Sequence, residues 1–232
     1  MTPLIIIPAR GGSKGIPHKN IKLLKGKPLI CYSIDIARQF TTDENICVTT
    51  DDNEIISVVE QYDLKVPFVR PAELATDTAS SNDVLVHALS FYEAQGRQVD
   101  VIILLQPTSP FRKVSFVKEA VDLYNEDLDM VVSVKETSAN PYYNCFEEDR
   151  NGFLSISKSI GHPITRRQDA PKVWEYNGSI YVINPTSLKD KGMQHFTKVR
   201  KYPMPELYSI DIDHPFDWKV AELLLNENMI EL

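Results

Sequence analysis

The hydrophobic positions along the chain follow two alternating periods. Short apolar runs, typical of strands buried on both faces, predict strands over 4–8, 46–50, 66–69, 101–105, 130–134 and 179–183. Between them, apolar residues at helical spacing predict helices over 28–40, 54–62, about 81–95 and 114–125, and a last helix over about 215–226. Strands and helices in alternation indicate an α/β fold with a mostly parallel sheet and helices on both faces.

The alternation is interrupted after about residue 137. Two short segments around 144–148 and 153–156 are joined by Asp149-Arg150-Asn151-Gly152, a sequence typical of a β-hairpin. The region from about 137 to 175 is therefore predicted to be an insertion, an arm outside the alternating core. Because no internal repeat or low-complexity linker divides the chain, we expect a single domain over 1–232 that carries this insertion.

Composition and charge exclude several classes of function. The chain has 25 Lys and Arg residues against 32 Asp and Glu residues, a net charge of −7 that does not favour nucleic acid. No apolar run approaches the ~18–20 residues that a membrane span requires, and the N-terminus lacks the pattern of a cleavable signal. We therefore expect no nucleic-acid partner, no membrane partner and a cytoplasmic location.

The first predicted strand is followed by a glycine-rich loop, residues 10–20, that contains Arg10, Lys14 and Lys19. Glycines let several backbone N–H groups approach an anion, and open α/β sheets bind ligands at the carboxyl ends of their strands. Three cations in an acidic chain indicate a pyrophosphate or triphosphate ligand. The loop matches neither the P-loop nor the dinucleotide-binding fingerprint. A solvated basic loop is the alternative, which its position after an apolar strand disfavours.

Two carboxylates flank an apolar residue near the C-terminus. In extended chain Asp211 and Asp213 project to one face while Ile212 points into the core. Mg²⁺ prefers oxygen ligands and is commonly held by one or two carboxylates together with substrate phosphates. The pattern therefore predicts a magnesium site. The alternative is that Asp213 caps the helix that begins near Pro215.

Five ordered segments of the chain resemble the motifs of the acylneuraminate cytidylyltransferases, the CMP-sialic acid synthetases. The segments are Ile7-Pro8-Ala9-Arg10-Gly11-Gly12-Ser13-Lys14-Gly15-Ile16-Pro17-x-Lys19-Asn20, the stretch 70–81, Leu105-Gln106-Pro107-Thr108-Ser109-Pro110-x-Arg112, Arg167-Gln168-x-x-Pro171 with Asn177-Gly178-x-Ile180-Tyr181, and Asp211-Ile212-Asp213. They span nearly the whole chain. The resemblance implies a Rossmann-like nucleotidyltransferase fold. It also implies transfer of CMP from CTP to the anomeric hydroxyl of N-acetylneuraminate, with release of pyrophosphate and a requirement for Mg²⁺.

The resemblance also implies roles for individual residues. The expected catalytic residues are Arg10, Lys19 and Asp211. The expected nucleotide-binding residues are Arg10, Gly11, Gly12, Ser13, Asn20, Arg70 and Ser81, although Ser80 or Ser81 is also expected to cap a helix. The expected sugar-binding residues are Gln106, Arg167, Asn177, Tyr181 and Phe196, and the expected metal ligands are Asp211 and Asp213. In the family the insertion reaches over the neighbouring subunit, so the arm is expected at the interface of a homodimer.

Two alternatives stay open at this point. The same chemistry could activate a related sugar, namely legionaminic, pseudaminic or 3-deoxy-manno-octulosonic acid, because all of these share the phosphate loop and the carboxylate pair. A glycosyltransferase or a nucleotide-sugar-binding module could retain Asp-x-Asp without activating a sugar. The three clustered cations argue against this second class, which has no pyrophosphate leaving group to neutralise.

Overall fold

A six-stranded sheet forms the centre of this computed structural model, which describes residues 1–231. The strands are β1 (Pro3–Pro8), β2 (Leu23–Leu24), β3 (Lys27–Pro28), β4 (Ile46–Thr49), β5 (Val101–Leu105), β6 (Met130–Glu136), β7 (Phe146–Glu148), β8 (Leu154–Ile156), β9 (Trp174–Ile183) and β10 (Val199–Pro203). The helices are α1 (Leu29–Phe40), α2 (Asn53–Gln61), α3 (Ser81–Ala94), α4 (Val114–Asp122), α5 (Pro185–Lys191) and α6 (Pro215–Asn226).

The strand order in the main sheet is β10-β6-β9-β5-β1-β4. β1 pairs in parallel with β4 and β5, and β6 pairs in parallel with β10. Only β9 is antiparallel to its neighbours, β5 and β6. The predicted mostly parallel α/β sheet is confirmed, and the carboxyl ends of its five parallel strands share one edge, where a ligand would bind.

Apolar side chains cover both faces of this sheet. Along β1, Ile5 and Ile7 pack in one buried cluster with α1, α2 and α4, whereas Leu4 and Ile6 pack in the other with α3 and α5. This alternation follows from the two-residue side-chain period of a strand. Since both faces are buried, every residue of β5 is apolar, which explains the unbroken apolar run from which this strand was predicted.

The arm lies between β6 and β9. Glu136 at the end of β6 pairs with Trp174 at the start of β9, so the arm leaves and rejoins the sheet at one place. Within it, β7 and β8 form the predicted hairpin, as a separate two-stranded sheet. None of the helices formed by residues 1–231 is both long and apolar enough to cross a membrane.

Besides the two-residue strands β2 and β3, which were not predicted, three elements differ from the sequence prediction. The strand predicted over 66–69 is wrong: only Val69 forms an isolated bridge, to Thr50. Pro67 has no N–H to donate to a ladder, which explains the interruption. The edge strand β10 was missed because Arg200 and Lys201 are exposed and break the apolar pattern, and α5 was missed because its seven residues are mostly polar.

Candidate active site

The glycine-rich loop, residues 10–20, is anchored to β4 and to the start of α2. The backbone N–H of Ala9 donates to the carbonyl of Thr49 (3.0 Å), and the N–H of Gly11 donates to Asp51 Oδ1 (3.0 Å). Inside the loop, the Asn20 amide donates to the carbonyl of Arg10 (3.1 Å). A Cβ on Gly11 would lie 2.7 Å from a carboxylate oxygen of Asp52, so a larger residue here would displace the side chain that caps α2.

This loop forms one wall of a cleft of about 590 Å³ at the carboxyl ends of β1 and β5. The cleft brings together most of the residues predicted for nucleotide, catalysis and metal. Those that line it are Arg10, Ser13, Lys19, Asn20, Arg70, Ser81, Gln106, Asp211 and Asp213. Gly11 and Gly12 instead line an adjoining depression on the α2 side, which they share with Arg10 and Asp77. The structure therefore brings residues of four of the five motif segments to one cleft.

Cations of the cleft are held by partners from distant parts of the chain. Lys19 is buried, and its Nζ donates to the carbonyl of Ile212 (2.6 Å) and to Asp213 Oδ1 (3.1 Å). Arg70 is buried as well and donates to the hydroxyl (3.1 Å) and the carbonyl of Thr49. Desolvation by burial lowers the pKa of the Arg70 guanidinium. Both cations are therefore fixed in place before any anion arrives.

The Asp211–Asp213 segment is fixed by its middle residue. Ile212 is fully buried, and its N–H donates to the carbonyl of Thr108 (2.8 Å). Asp211 Oδ1 lies 3.4 Å from the hydroxyl of Ser109. The Asp211 side chain lines the cleft but is partly desolvated by the surrounding protein. Desolvation, with repulsion from Asp213, raises the pKa of the Asp211 carboxyl, and Thr108 and Lys19 act in the opposite direction.

The alternative role considered for Asp213 is wrong. The N-cap of α6 is His214, whose backbone N–H donates to Asp217 Oδ2 (2.7 Å) in a capping box. Asp213 is thus free of the capping role and lines the cleft beside Asp211. Similarly, the N-cap of α3 is Ser80, which accepts from the Asp83 N–H (3.1 Å), so the Ser81 side chain is left to face the cleft.

The oxygen donors in the cleft suit an ion that needs few protein ligands. Residues 1–231 contain no group of three or more His, Cys, Asp or Glu side chains placed to hold a metal ion. The two carboxylates of Asp211 and Asp213 with the nearby Ser109 hydroxyl are a small, hard, oxygen-only set. Such a set fits Mg²⁺, which commonly takes its remaining ligands from substrate phosphates and water.

A second pocket, of about 340 Å³, adjoins the cleft through Ser81, Leu104 and Gln106. Five of its ten lining residues are aromatic or sulfur-containing. The other lining residues are Met130, Tyr176, Tyr181, Met193, Gln194, Phe196 and Val199. Burial, with a smaller contribution from Asp211, raises the pKa of Tyr181 to about 12, so its hydroxyl stays protonated at neutral pH. Gln106, Tyr181 and Phe196, three of the predicted sugar residues, therefore lie together.

Two predicted sugar residues lie elsewhere. The carboxamide of Asn177 is buried and used internally, since it accepts from the Ser133 hydroxyl (2.6 Å) and donates to the Ser209 hydroxyl (2.9 Å). Arg167 is exposed on the arm and donates to the carbonyl of Ser138 (2.9 Å), outside both pockets. Within one chain, neither side chain lines the cleft.

Other residues of the site had no role in the sequence analysis. Gly178 has φ +72°, and an added Cβ would lie 2.9 Å from Ser109 Oγ and 3.2 Å from Asp211 Oδ2. The missing side chain makes room for the carboxylate. Asp77, which also lines the cleft, pairs with Arg10 and Lys14. Both Gly178 and Asp77 lie inside the motifs that resemble the family, and this position was the sequence signal that could have identified them.

The sheet order, the glycine-containing cationic loop and the carboxylate pair at one cleft define an α/β protein of the nucleotidyltransferase fold. A family model described as Cytidylyltransferase matches residues 4–222, and the chain belongs to this family. The predicted family is confirmed. The chain is 34% identical over 229 residues to the CMP-N,N'-diacetyllegionaminic acid synthase of Legionella pneumophila, covering 98% of each protein.

A second relative differs in length. The chain is 36% identical over 219 residues to the N-acylneuraminate cytidylyltransferase of Streptococcus agalactiae, covering 92% of this chain but only 51% of that protein. Among solved structures, CMP:2-keto-3-deoxy-manno-octonic acid synthetase complexed with CTP superposes with a TM-score of 0.70 at 20% identity, covering 98% of this chain and 100% of the other. At that identity the likeness establishes the fold.

Proposed function

We propose that this cytidylyltransferase transfers CMP from CTP to the anomeric hydroxyl of a nine-carbon 2-keto acid sugar and releases pyrophosphate. One observation carries the proposal: the cationic loop and the Asp211–Asp213 pair face the same cleft, and a mostly apolar pocket opens beside it. The relatives support it, because those from Legionella and Streptococcus are named for acidic sugars of this type.

The residues of the cleft have side chains suited to different parts of the nucleotide. Arg10, Ser13 and Lys19 would bind the phosphates, and their positive charge would offset the charge that develops as pyrophosphate leaves. Asn20, Arg70 and Ser81 would contact the nucleoside. Because Lys19 is held by Ile212 and Asp213, it needs no reorganisation when charge builds up on the phosphates.

Asp211 and Asp213 would hold Mg²⁺ together with the phosphates of CTP. The ion would supply a positive charge that polarises the phosphoryl oxygens. The chain's contribution is to fix the two carboxylates, through buried Ile212 and its hydrogen bond to Thr108.

The proposed sugar is N-acetylneuraminate, with Gln106, Tyr181 and Phe196 around the adjoining pocket. N,N'-diacetyllegionaminate is a second candidate, because the pocket lining is largely apolar and the Legionella relative matches over nearly its full length. The methyl of a second acetyl group would pack well against such a lining, while its amide N–H and C=O, like a hydroxyl, would need hydrogen-bond partners when buried.

We also propose that the active form is a homodimer. The hairpin of β7 and β8 carries Phe146, Leu154 and Ile156 on one face, where they are 54%, 68% and 37% exposed. A lone two-stranded hairpin with an uncovered apolar face is marginal in water, so a second copy is the proposed cover. Arg167, on the same arm, would then reach a cleft only in the assembled dimer.

The test is pyrophosphate release by the purified protein with CTP, Mg²⁺ and each sugar in parallel. We expect release that requires all three components and stops when the metal is chelated. A higher kcat/KM for N-acetylneuraminate than for N,N'-diacetyllegionaminate supports the proposed sugar, and the reverse order selects the second candidate. No release with either sugar, or with 3-deoxy-manno-octulosonic or pseudaminic acid, would contradict the proposed activity.

A further inference from the structure

Arg112 is fully buried next to the cleft, yet it does not line it. Its Nε donates to the Ser179 hydroxyl (3.1 Å) and its Nη1 to the Ser33 hydroxyl (2.9 Å). Its Nη2 donates to the carbonyl of Gln106 (2.6 Å) and also to that of Ser109. One guanidinium therefore joins α1, β9 and the loop that follows β5.

No carboxylate among residues 1–231 forms a hydrogen bond or an ion pair with this guanidinium. Its four hydrogen-bond acceptors are uncharged hydroxyl and carbonyl oxygens. The Asp211 carboxylate, at longer range, favours the protonated guanidinium. Desolvation lowers the pKa of Arg112 to about 9, so the group is still protonated at neutral pH. A buried charge without an ionic partner is costly to the fold, and an apolar side chain of similar size would fill the space at lower cost.

The two carbonyls that accept from Arg112 belong to the 106–109 loop, whose residues contact both pockets and Asp211. Gln106 presents its side chain to both pockets. Ser109 directs its hydroxyl to Asp211 Oδ1 (3.4 Å) and to the carbonyl of Asn177 (3.1 Å). Between them, the carbonyl of Thr108 accepts from the N–H of Ile212 (2.8 Å). The shape of 106–109 therefore sets where Gln106 and Asp211 stand relative to each other.

We propose that Arg112 is a positioning residue, whose guanidinium fixes the 106–109 loop so that the Gln106 carboxamide and the Asp211 carboxylate face one substrate. This inference rests on the proposed function, which gives Gln106 the sugar and Asp211 the metal. Arg112 itself touches neither ligand. The role calls for a planar group with several donors, because four acceptors in three directions must be reached at once.

The test compares Arg112→Met and Arg112→Lys with the matched control Ser33→Ala. Ser33→Ala removes the Arg112 contact on the α1 side, away from the cleft, so we expect a melting temperature lower by a few degrees and unchanged kinetics. Arg112→Met should lower kcat/KM for the sugar at least 100-fold. Arg112→Lys keeps the charge but fewer of the donors, and we expect an intermediate loss.

A binding measurement separates positioning from a purely structural role. By calorimetry, Arg112→Met should change the affinity for CTP without metal less than threefold, because the 10–20 loop is untouched. The increase in CTP affinity that Mg²⁺ gives the wild-type protein should fall at least tenfold in this variant, because Asp211 is displaced. If Arg112→Met does not fold, the same two affinities are measured on Arg112→Lys, where the Mg²⁺-dependent increase should fall at least threefold.

The opposing outcomes are distinct. A variant with a lower melting temperature but the wild-type Mg²⁺ increment and wild-type kcat/KM would show that Arg112 only stabilises the fold, and would overturn the proposal. The proposal would also be overturned if Mg²⁺ did not change the CTP affinity of the wild-type protein. Failure of the proposed function is recognised separately, as a wild-type protein that binds CTP with Mg²⁺ but releases no pyrophosphate with any of the sugars.

Discussion

Asp77 binds Arg10 and Lys14 at the same time: its Oδ1 lies 2.8 Å from Arg10 Nη1 and its Oδ2 lies 2.5 Å from Lys14 Nζ. Hydrogen bonds from Lys14 and Arg10 hold the pKa of the Asp77 carboxyl below its usual range. Both cations belong to the loop proposed to bind phosphates. Asp77 and a polyphosphate therefore compete for the same positive charge.

We expect Asp77→Asn to lower the KM for CTP about two- to fivefold at low ionic strength, because CTP no longer has to break the Asp77 ion pairs. This factor corresponds to the free energy of exposed ion pairs. The gain should shrink at high salt, because the pairs are solvent-exposed and screened. Steady-state kinetics at two salt concentrations measure both effects. Glu73→Gln is the matched control, since it removes an equal charge from an exposed position in the same segment. A higher KM in Asp77→Asn would instead make Asp77 part of the nucleotide site.

Gly15 joins the 10–20 loop to the carboxylate segment. A Cβ at this position would overlap the carbonyl oxygen of Asp213, a contact that only a backbone shift can relieve. We therefore expect Gly15→Ala to separate Lys19 from Asp213 and to lower kcat at least tenfold. Gly96→Ala is the control: its φ of +77° strains alanine, but nothing lies within 4 Å. It should cost about 1–2 kcal/mol of unfolding free energy with unchanged kcat, and equal kinetic losses in both variants would exclude the contact as the cause.

The parts of the fold that the sequence predicts are those in which local pattern and burial agree. β5 is apolar throughout because both of its faces are covered, and Asp211 and Asp213 share a face because an extended chain alternates its side chains. β10 lies at the sheet edge, where the exposed side chains of Arg200 and Lys201 hide the strand pattern. The opposite edge strand, β4, is buried along its whole length and was predicted, so the pattern fails where an edge strand exposes its side chains.

The site is less predictable, because its geometry depends on contacts between distant segments. Lys19 was expected to bind phosphate and lines the cleft, yet its hydrogen bond to the carbonyl of Ile212 joins the two ends of the chain and has no local signal. Asn177 was expected to bind the sugar because of a motif, and only the folded chain shows its amide bonded to Ser133 and Ser209. A motif locates a segment, but tertiary packing decides which of its side chains face a ligand.

Asp129 links the start of β6 to α5 and to the segment before β10. Its carboxylate accepts from Lys191 Nζ (2.6 Å), the Ser187 hydroxyl (2.7 Å) and the N–H groups of Thr197 (3.0 Å) and Lys198 (2.9 Å). These bonds, that from Lys191 foremost, hold the pKa of the Asp129 carboxyl far below its usual range. The ionised form is therefore preferred more strongly in the folded chain than in the unfolded chain.

A pKa lowered on folding stabilises the protein above the unfolded pKa of about 3.9, and the stabilisation is lost as the pH falls below that value. We expect Asp129→Asn to lower the free energy of unfolding by about 1–3 kcal/mol at pH 7, through unsatisfied buried donors. Between pH 5 and pH 3 the variant should lose less stability than the wild type. Urea unfolding at both pH values measures this, with exposed Asp190→Asn on α5 as control. Parallel curves for Asp129→Asn and wild type would contradict the assignment.

The hairpin of β7 and β8 offers a direct test of the homodimer. Leu154 lies on the exposed apolar face of the hairpin, and the adjacent Ser155 points to the opposite face. Leu154→Lys would place a charge in the proposed interface and should raise the dimer dissociation constant at least tenfold, whereas Ser155→Lys should leave it within twofold. Sedimentation equilibrium over a range of concentrations measures both. Since Arg167 would reach a cleft only in the dimer, turnover should fall with the dimer fraction, and a wild-type protein that is monomeric and fully active would contradict the shared site.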